Sequence, residues 1–501
     1  MNILKRRTFL PHLLIFLILL LGFYLVGSQT KFLSFVKTPP CKNCNVVVIS
    51  LDTVRASQLP CYGYKKNTMP NLCQFADRGI LFDNAHSQSS WTFPSATSMM
   101  TGLYPSGHRA YDNTVDTLHP SITTLPKLYK DAGYHTIAII NSQELNIPFP
   151  KELTKQFDTV VSTKGLPIDK EVQEWIRTYT QHKNQKKPVF VYIYTTFVGY
   201  YRSLDFGKKT RFSLDPYFIP PSVAFEKNFT PSVRLAAISL MQRLRDNETD
   251  PTKKSQYEHF LTQLSPPYSL SHAQQIFDQL SADQQMFLHQ EQAAKIISLT
   301  NPDHIRYITN LYDDTLARLD SAIDPFLDVL SNPTNNTVSL IYSDHGENLG
   351  EHGYWGHAME PHSTLTHVPL MLHIPNISPR ISDKITQIID VFPTLLAISD
   401  ITFSHQIAGR NLLPIFDHDS AASTNFSIAQ LNYENDLSIR TNEWMLLTHK
   451  DAYGNVRDKL YNLQEDPHEI HDVYSKYPDI VQRLKKQYTQ AIYPNTHSSL
   501  R

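Results

Sequence analysis

Three apolar runs limit what this chain can fold into more than any other feature: "NVVVISLD" (Asn45 to Asp52), "VFVYIYTTF" (Val189 to Phe197) and "TVSLIYSDHG" (Thr337 to Gly346). Each has strand length and is rich in β-branched residues. Continuous apolar strands of this kind must be covered on both faces, as central strands of α/β sheets are. Helical patterns lie between them, among them "SITTLPKLYKDAGY" and "DDTLARLDSAIDPFLDVL". Strands alternating with helices predict a doubly wound, mostly parallel sheet flanked by helices.

The chain has 501 residues, which suits a large domain with a smaller one beside it. Hydrophobic residues make up 41% and charged residues 19%, so most of it has the means to pack a core. The net charge of −1 gives no basic face for nucleic acid. Residues 201–300 interrupt the strand–helix rhythm and read as a helical insertion, either shaping a substrate pocket or merely decorating the surface. From residue 399 onward, "SIRTNEWMLLTHK" and "DKLYNLQ" are strand-like and "YPDIVQRLKKQYTQAI" is an amphipathic helix. They predict a small antiparallel subdomain over 399–501, after a catalytic domain over 45–398.

The N-terminus differs from the rest. "MNILKRR" is basic and "FLPHLLIFLILLLGFYLVG" (Phe9 to Gly27) is nearly all apolar. Residues 1–30 therefore predict a transmembrane anchor, or a signal peptide cut near Val26-Gly27-Ser28, with 31–44 as a linker. Either way the folded part is delivered across a membrane. It would be membrane-anchored with an extracytoplasmic catalytic domain, or secreted if the segment is cleaved. That compartment permits disulfides, and "CKNC" (Cys41 to Cys44) is a candidate. Four cysteines are too few for a disulfide-framework protein.

Ligands of open α/β sheets sit beyond the carboxyl ends of the strands. Two of the three apolar runs end there in acidic residues: Asp52 in "SLDTVRAS", and Asp344, followed by His345, in "YSDHGENLGEHG". Taken singly, Asp52 reads equally as a helix cap and Asp344-His345-Gly346 as a turn. Taken together, two carboxylates and an imidazole suit one hard or borderline divalent cation (Mn, Zn, Mg or Ca). A fourth oxygen is available in "WTFPSATSMMTG", where Thr92 stands before Pro94 at a helix start. Alone, Thr92 reads as an N-cap. Beside a cation and a helix N-terminus, its hydroxyl becomes a nucleophile for a tetrahedral phosphorus or sulfur centre.

With these residues in view, the chain resembles the sulfatase-like branch of the alkaline phosphatase superfamily. The segments that carry the likeness are "NVVVISLDTVRASQLPCYGY", "MPNLCQFADRGILFDNAHSQSSWTFPSATSMMTGLYPSGH", "SDHGENLGEHGYWGH", "THVPLMLHIP", "DVFPTLLAISDI", "AGRNLLPIF" and the C-terminal stretch from "IRTNEWMLLTH" through "KLYNLQEDPHEIHDVYSKYPDIVQRL". They stand in the family's order. The resemblance implies a large mixed, mostly parallel sheet between helices, with a small C-terminal sheet subdomain. It also implies hydrolysis or transfer of sulfate or phosphate esters.

The departures from the family pattern concern the chemistry. Sulfatases oxidise a Cys or Ser to formylglycine within Cys-x-Pro-Ser-Arg; here the matching residues run from Thr92 to Ala96. Threonine cannot become formylglycine, and the supporting arginine is Ala96. The metal-binding Asp-Asp pair is Asp52-Thr53, and the sulfate-gripping lysine and histidine are not recognisable in "IAIINSQEL". What remains, Asp52, Thr92, Asp344 and His345, looks like the single-metal, threonine-nucleophile set of phosphoethanolamine and lipoteichoic-acid-type transferases. His357, in "GYWGH", lies where relatives place a group toward the leaving oxygen, so the resemblance implies a general acid or oxyanion contact there. His362 and His367 are further candidates, and Glu347 and Glu351 are expected to support His345.

The expected reaction is attack on a phosphoester or phosphodiester through a covalent Thr92 intermediate. The ester substrate is lipid- or glycan-linked, the partner surface is a membrane, and nucleic acid is not a partner. Two alternatives stand beside it: a sulfuric ester hydrolase using an unmodified hydroxyl, and a catalytically inactive membrane-tethered binding protein of the same fold.

Overall fold

The computed structural model describes residues 41–111, 116–141, 151–163, 165–201, 242, 245, 251–263, 297–414, 425–432, 435–451 and 453–493. Its centre is an eight-stranded sheet. The strands in chain order are β1 (Asn45–Leu51), β2 (Ile80–Phe82), β3 (His135–Ile140), β4 (Thr159–Ser162), β5 (Val189–Thr195), β6 (Thr337–Tyr342), β7 (Leu370–His373) and β8 (Arg380–Ser382). Across the sheet they lie in the order β8-β2-β7-β6-β1-β5-β3-β4. The three apolar runs are neighbours at its middle: Val46 of β1 pairs with Phe190 of β5 on one side and Val338 of β6 on the other, all parallel. Strand β7 runs antiparallel to both β2 and β6, which makes the sheet mixed.

Both faces of β1 are fully buried because helices cover both. Val47, Ile49 and Leu51 face a layer carrying Phe75, Trp175, Tyr312 and Phe326, from helices Pro70–Ala76, Ile168–His182 and Pro302–Ser331. Val46 and Val48 face Met99, Leu128 and Leu395, from helices Thr92–Thr101, Leu125–Asp131 and Val391–Ile398. Each such side chain contributes about 1.5–3 kcal/mol by leaving water.

Helix Pro302–Ser331 starts at Asn301, whose side chain accepts from the Asp303 N–H, with Pro302 in the first turn. Its buried carboxylates fasten other segments. Asp320 accepts from the N–H groups of Asn71 and Leu72 and so caps helix Pro70–Ala76, whose own N-cap position, Met69, offers no side-chain oxygen. Asp313 accepts from Tyr64 and Lys66.

A four-stranded antiparallel sheet follows: β9 (Ser427–Leu431), β10 (Asp436–Arg440), β11 (Trp444–Lys450) and β12 (Val456–Asn462). Helix Pro478–Ile492 buries Val481 and Leu484 against Ile428, Ile439, Leu446 and Leu460 of that sheet, and Tyr104 and Ile389 join the same cluster. Disulfides join Cys41 to Cys44 and Cys61 to Cys73.

The expected membrane anchor is corrected. Phe9 to Gly27 lies outside the described residues, and among the described residues no helix is long and apolar enough to cross a membrane. A span needs about 20 predominantly apolar residues. The longest described helix, Pro302–Ser331, carries acidic groups from Asp303 to Asp328 along its length. Most of the expected helical insertion, 202–241 and 264–296, also lies outside the described residues.

Candidate active site

The ends of β1 and β6 lie side by side, so Asp52 and Asp344 emerge together at the carboxyl edge of the sheet. Asp52 follows β1 directly, and its N–H continues the ladder to the Thr195 carbonyl. The next residue, Thr53, has φ 63°, a left-handed conformation that strains a β-branched residue. The Thr53 carbonyl accepts from the Tyr312 hydroxyl at 2.6 Å, which holds that turn in place. Asp344 is fully buried. Its carbonyl accepts from Ser95 Oγ at 2.6 Å, tying the end of β6 to helix Thr92–Thr101.

That helix delivers Thr92. The extended residue Trp91 holds the N-cap position, so Thr92 is the first helical residue rather than the cap. Its oxygen turns instead into the cluster, 3.3 Å from Asp52 Oδ1 and 3.1 Å from His345 Nε2. The hydroxyl is almost completely buried at the positive end of the helix.

His345 is held by its own turn. Its Nδ1 donates to the Gly346 carbonyl at 2.8 Å, leaving Nε2 to face Asp52 at 3.3 Å and Asp344 Oδ2 at 3.9 Å. Gly346 is required by space: a Cβ there would lie 2.1 Å from the Thr364 carbonyl oxygen. Burial pushes the Asp344 carboxyl up to about 7, with His345 opposing and Asp52 adding to the shift. For His345, burial works against the charged ring, but the Asp344 and Asp52 carboxylates more than offset it and lift it to about 9. Both shifts describe a buried site whose negative charge calls for a cation.

The residues present fit one divalent ion. Asp52, Asp344 and His345 offer ligand atoms all within 4.8 Å of one another. Asp344 Oδ2 is buried without a hydrogen-bond partner, a costly state that a cation would relieve. Carboxylate and imidazole donors suit a hard or borderline metal.

His357 stands beside this group, its ring centroid 4.5 Å from that of His345. Its Nδ1 contacts Glu347 Oε2 at 2.7 Å, and Tyr201 donates to Glu347 Oε1 at 2.8 Å. Trp355 Nε1 in turn donates to the Tyr201 oxygen. Glu347 therefore orients His357, not His345. Glu351 also serves elsewhere, pairing with Arg55 at 2.8 Å. Neither supports His345, because the Gly346 carbonyl already takes its Nδ1 proton.

The other histidine candidates lie apart from this group. His362 bonds Glu469 through Nδ1 at 2.7 Å, and His367 Nε2 bonds the Asp83 carbonyl at 2.9 Å. At the end of β3, Asn141 Nδ2 donates to the buried Glu171. Burial raises Glu171 to about 8, so this corner of the sheet edge supplies a neutral acid rather than a cation. The roles of Ser95 and Tyr201, and the partner of Glu347, were not foreseen. The Asp-His-Gly-Glu spacing holds a signal for Glu347, but nothing near Tyr201 in sequence points to its partner.

The "Sulfatase" family model matches residues 44–401, and the "N-sulphoglucosamine sulphohydrolase, C-terminal" model matches 350–493. Arylsulfatase K of Danio rerio is 22% identical over 484 residues, covering 91% of this chain and 85% of that protein. A solved structure described as in complex with its substrate D-glucosamine-2-N,6-O-disulfate superposes with a TM-score of 0.63 at 19% identity, covering 92% of this chain and all (100%) of that one. The phosphonate monoester hydrolase of Agrobacterium radiobacter superposes with a TM-score of 0.59 at 17% identity, covering 89% of this chain and 95% of that one. These likenesses establish a shared α/β architecture.

Proposed function

The chain belongs to the sulfatase family, and from that premise we propose that it hydrolyses a charged ester with Thr92 itself as the nucleophile. The observation that carries this reading is the position of the Thr92 oxygen: buried, at a helix start, and turned toward Asp52 and His345 instead of capping the helix.

Asp52, Asp344 and His345, with the Thr92 oxygen as a fourth ligand, would hold one divalent ion. Bound there, it supplies positive charge that lowers the hydroxyl pKa and neutralises ester oxygens. Thr92 Oγ1 then forms a bond to the phosphorus as the bond to the leaving alkoxide breaks. The Thr92 proton passes toward the facing Asp52 carboxylate. His357, held by Glu347, gives its proton to the leaving oxygen and afterwards takes one from the water that hydrolyses the phosphothreonine. The product leaves as phosphate, or as a phosphate monoester where the substrate is a diester, and the proton held by Asp52 returns to Thr92 Oγ1. The positive end of helix Thr92–Thr101 lies against the charge that develops.

Phosphorus is preferred because threonine cannot become formylglycine, the group with which sulfatases attack sulfate esters. A sulfate ester is the second reading, supported by the sulfatases among the relatives. The N-sulphoglucosamine sulphohydrolase match and the disulfated-glucosamine complex support an ester borne on a glycan.

The test is side-by-side turnover of aryl phosphodiester and aryl sulfate by metal-loaded protein, with mass spectrometry of the Thr92 peptide after quenching. The expected result is phosphodiester turnover, a phosphoryl adduct on Thr92, and a loss on the order of 10⁴–10⁶-fold in Thr92→Ala. Unchanged turnover in Thr92→Ala would remove the proposal. Turnover of the sulfate alone would transfer it to the second reading.

A further inference from the structure

We propose that Tyr201 is a positioning residue for the reaction: its hydroxyl fixes the arrangement of Glu347 in which His357 passes a proton to the leaving oxygen. The inference rests on the acid role given to His357 in the proposed function.

His357 leaves a very short ribbon. Asn348–Leu349 and Trp355–Gly356 pair antiparallel, with Asn348 opposite Gly356 and Leu349 opposite Trp355. One further step of that register sets Glu347 opposite His357, so the two side chains share a face. Trp355, two residues before His357, lies on the same face. A ribbon with two residues in each strand has little stability of its own. Tyr201 reaches it from elsewhere in the chain, directly after the turn Val198–Tyr200 that follows β5. Its oxygen accepts from Trp355 Nε1 at 2.5 Å and donates to Glu347 Oε1 at 2.8 Å. One hydroxyl thus staples both strands of the ribbon.

The chemistry of these groups gives every proton a direction. An indole N–H only donates and a carboxylate only accepts, so the single Tyr201 proton goes to Glu347. With Oε1 occupied in this way, Oε2 meets His357 Nδ1 at 2.7 Å. That bond keeps a proton on Nδ1 and leaves Nε2 as the nitrogen that gives and takes the reacting one. Tyr201 and Glu347 are both fully buried, so removing the hydroxyl strands a carboxylate oxygen and frees Glu347 to turn away from the imidazole.

The same ring reaches the other side of the catalytic group. It packs edge-on against Tyr312, with centroids 5.3 Å apart and planes at 87°. The Tyr312 hydroxyl donates to the Thr53 carbonyl at 2.6 Å and accepts from the Arg55 N–H at 2.9 Å, holding the turn that follows Asp52. Gly199, two residues before Tyr201, lies close to Asp52 as well: a Cβ there would be 3.5 Å from Oδ2. Tyr201 therefore spans from the turn behind Asp52 to the carboxylate behind His357, the two sides whose spacing an in-line displacement needs fixed.

The test varies the leaving group. Metal-loaded full-length protein is assayed on two aryl esters of the acid it turns over, phosphoric or sulfuric, one releasing nitrophenol and the other phenol. Nitrophenol departs readily as an anion, whereas phenol needs the proton. Tyr201→Phe should lower kcat about tenfold on the phenyl ester, leave the nitrophenyl ester nearly unchanged, and leave KM unchanged on both. Combined with His357→Ala, it should add no further loss. Trp355→Phe, which removes the donor to Tyr201, should show the same pattern more weakly, and thermal melting verifies that each variant is folded. Equal losses on the two esters in folded Tyr201→Phe, or a full additional loss on top of His357→Ala, would overturn the inference. If Tyr201→Phe does not fold, equal losses in Trp355→Phe do so. Equal losses in His357→Ala itself would instead remove the acid role from which the inference starts.

Discussion

Glu347 Oε2 lies 2.7 Å from His357 Nδ1, with the carboxylate fully buried and the imidazole one-quarter exposed (25%). A buried carboxylate behind a histidine fixes its tautomer and strengthens its hold on a proton. His357→Ala is expected to lower turnover about 10²–10⁴-fold. Glu347→Gln keeps the shape and removes the charge, and should cost about tenfold while changing the form of the pH–rate profile. A profile unchanged in Glu347→Gln would show that this pair has no part in proton transfer.

The catalytic cluster makes a signed prediction about stability. Asp344 and His345 both hold protons more tightly in the fold than in the open chain, at about 7 against an ordinary 3.8 and at about 9 against 6.5. The folded state therefore binds more protons than the unfolded state. Stability of the metal-free protein should fall as pH rises, first from about 4 to 7 and then from about 6.5 to 9. A bound divalent ion replaces those protons, so its stabilising effect should grow over the same range. Melting curves with and without chelator check this. Asp344→Asn should flatten the metal-free slope, and a metal-free melting temperature that rises from pH 6.5 to 9 would contradict the account.

Gly346→Ala should be poorly tolerated, since the added carbon would meet the Thr364 carbonyl oxygen at 2.1 Å. Backbone cannot move aside as a flexible side chain would. The expected cost is about 1–3 kcal/mol from overpacking, accompanied by a loss of metal affinity because Gly346 supplies the carbonyl that orients His345. Denaturant unfolding and metal titration measure the two effects separately.

The Cys61–Cys73 disulfide closes a loop of sequence separation 12 that carries Tyr64 and Lys66 to Asp313. Replacing both cysteines with alanine should cost about 2–4 kcal/mol. Pairing residues 41 and 44 closes a much smaller ring, so their replacement should cost less. Chemical denaturation of the two double variants gives the comparison.

The middle of the sheet was legible because Val46–Leu51, Val189–Thr195 and Thr337–Tyr342 are predominantly apolar and buried at every position, as a strand covered on both faces requires. Asp52, Asp344 and His345 were legible because each follows such a strand. Strand β2, three residues long, carries too little periodicity to register. The partners of Glu347 and Glu351 were misjudged for another reason. Nearness in sequence to His345 suggested support for it, yet the chain turns so that one carboxylate meets His357 and the other Arg55. The role of Tyr201 depends on a contact with Glu347 across the fold, which no local pattern encodes.

The place of β1 at the sheet's centre, between Phe190 and Val338, bears on how the chain is made. Among the described strands β1 is the earliest in the chain, and it acquires its second neighbour only after nearly three hundred further residues have been added. At about 5–20 residues per second, that is a wait of roughly 15–60 s. Helix Pro70–Ala76 waits as well, because its capping oxygens belong to Asp320. Nascent chains arrested before residue 320 should leave both segments open to protease, so the cell must shield a sticky, half-paired strand through most of translation.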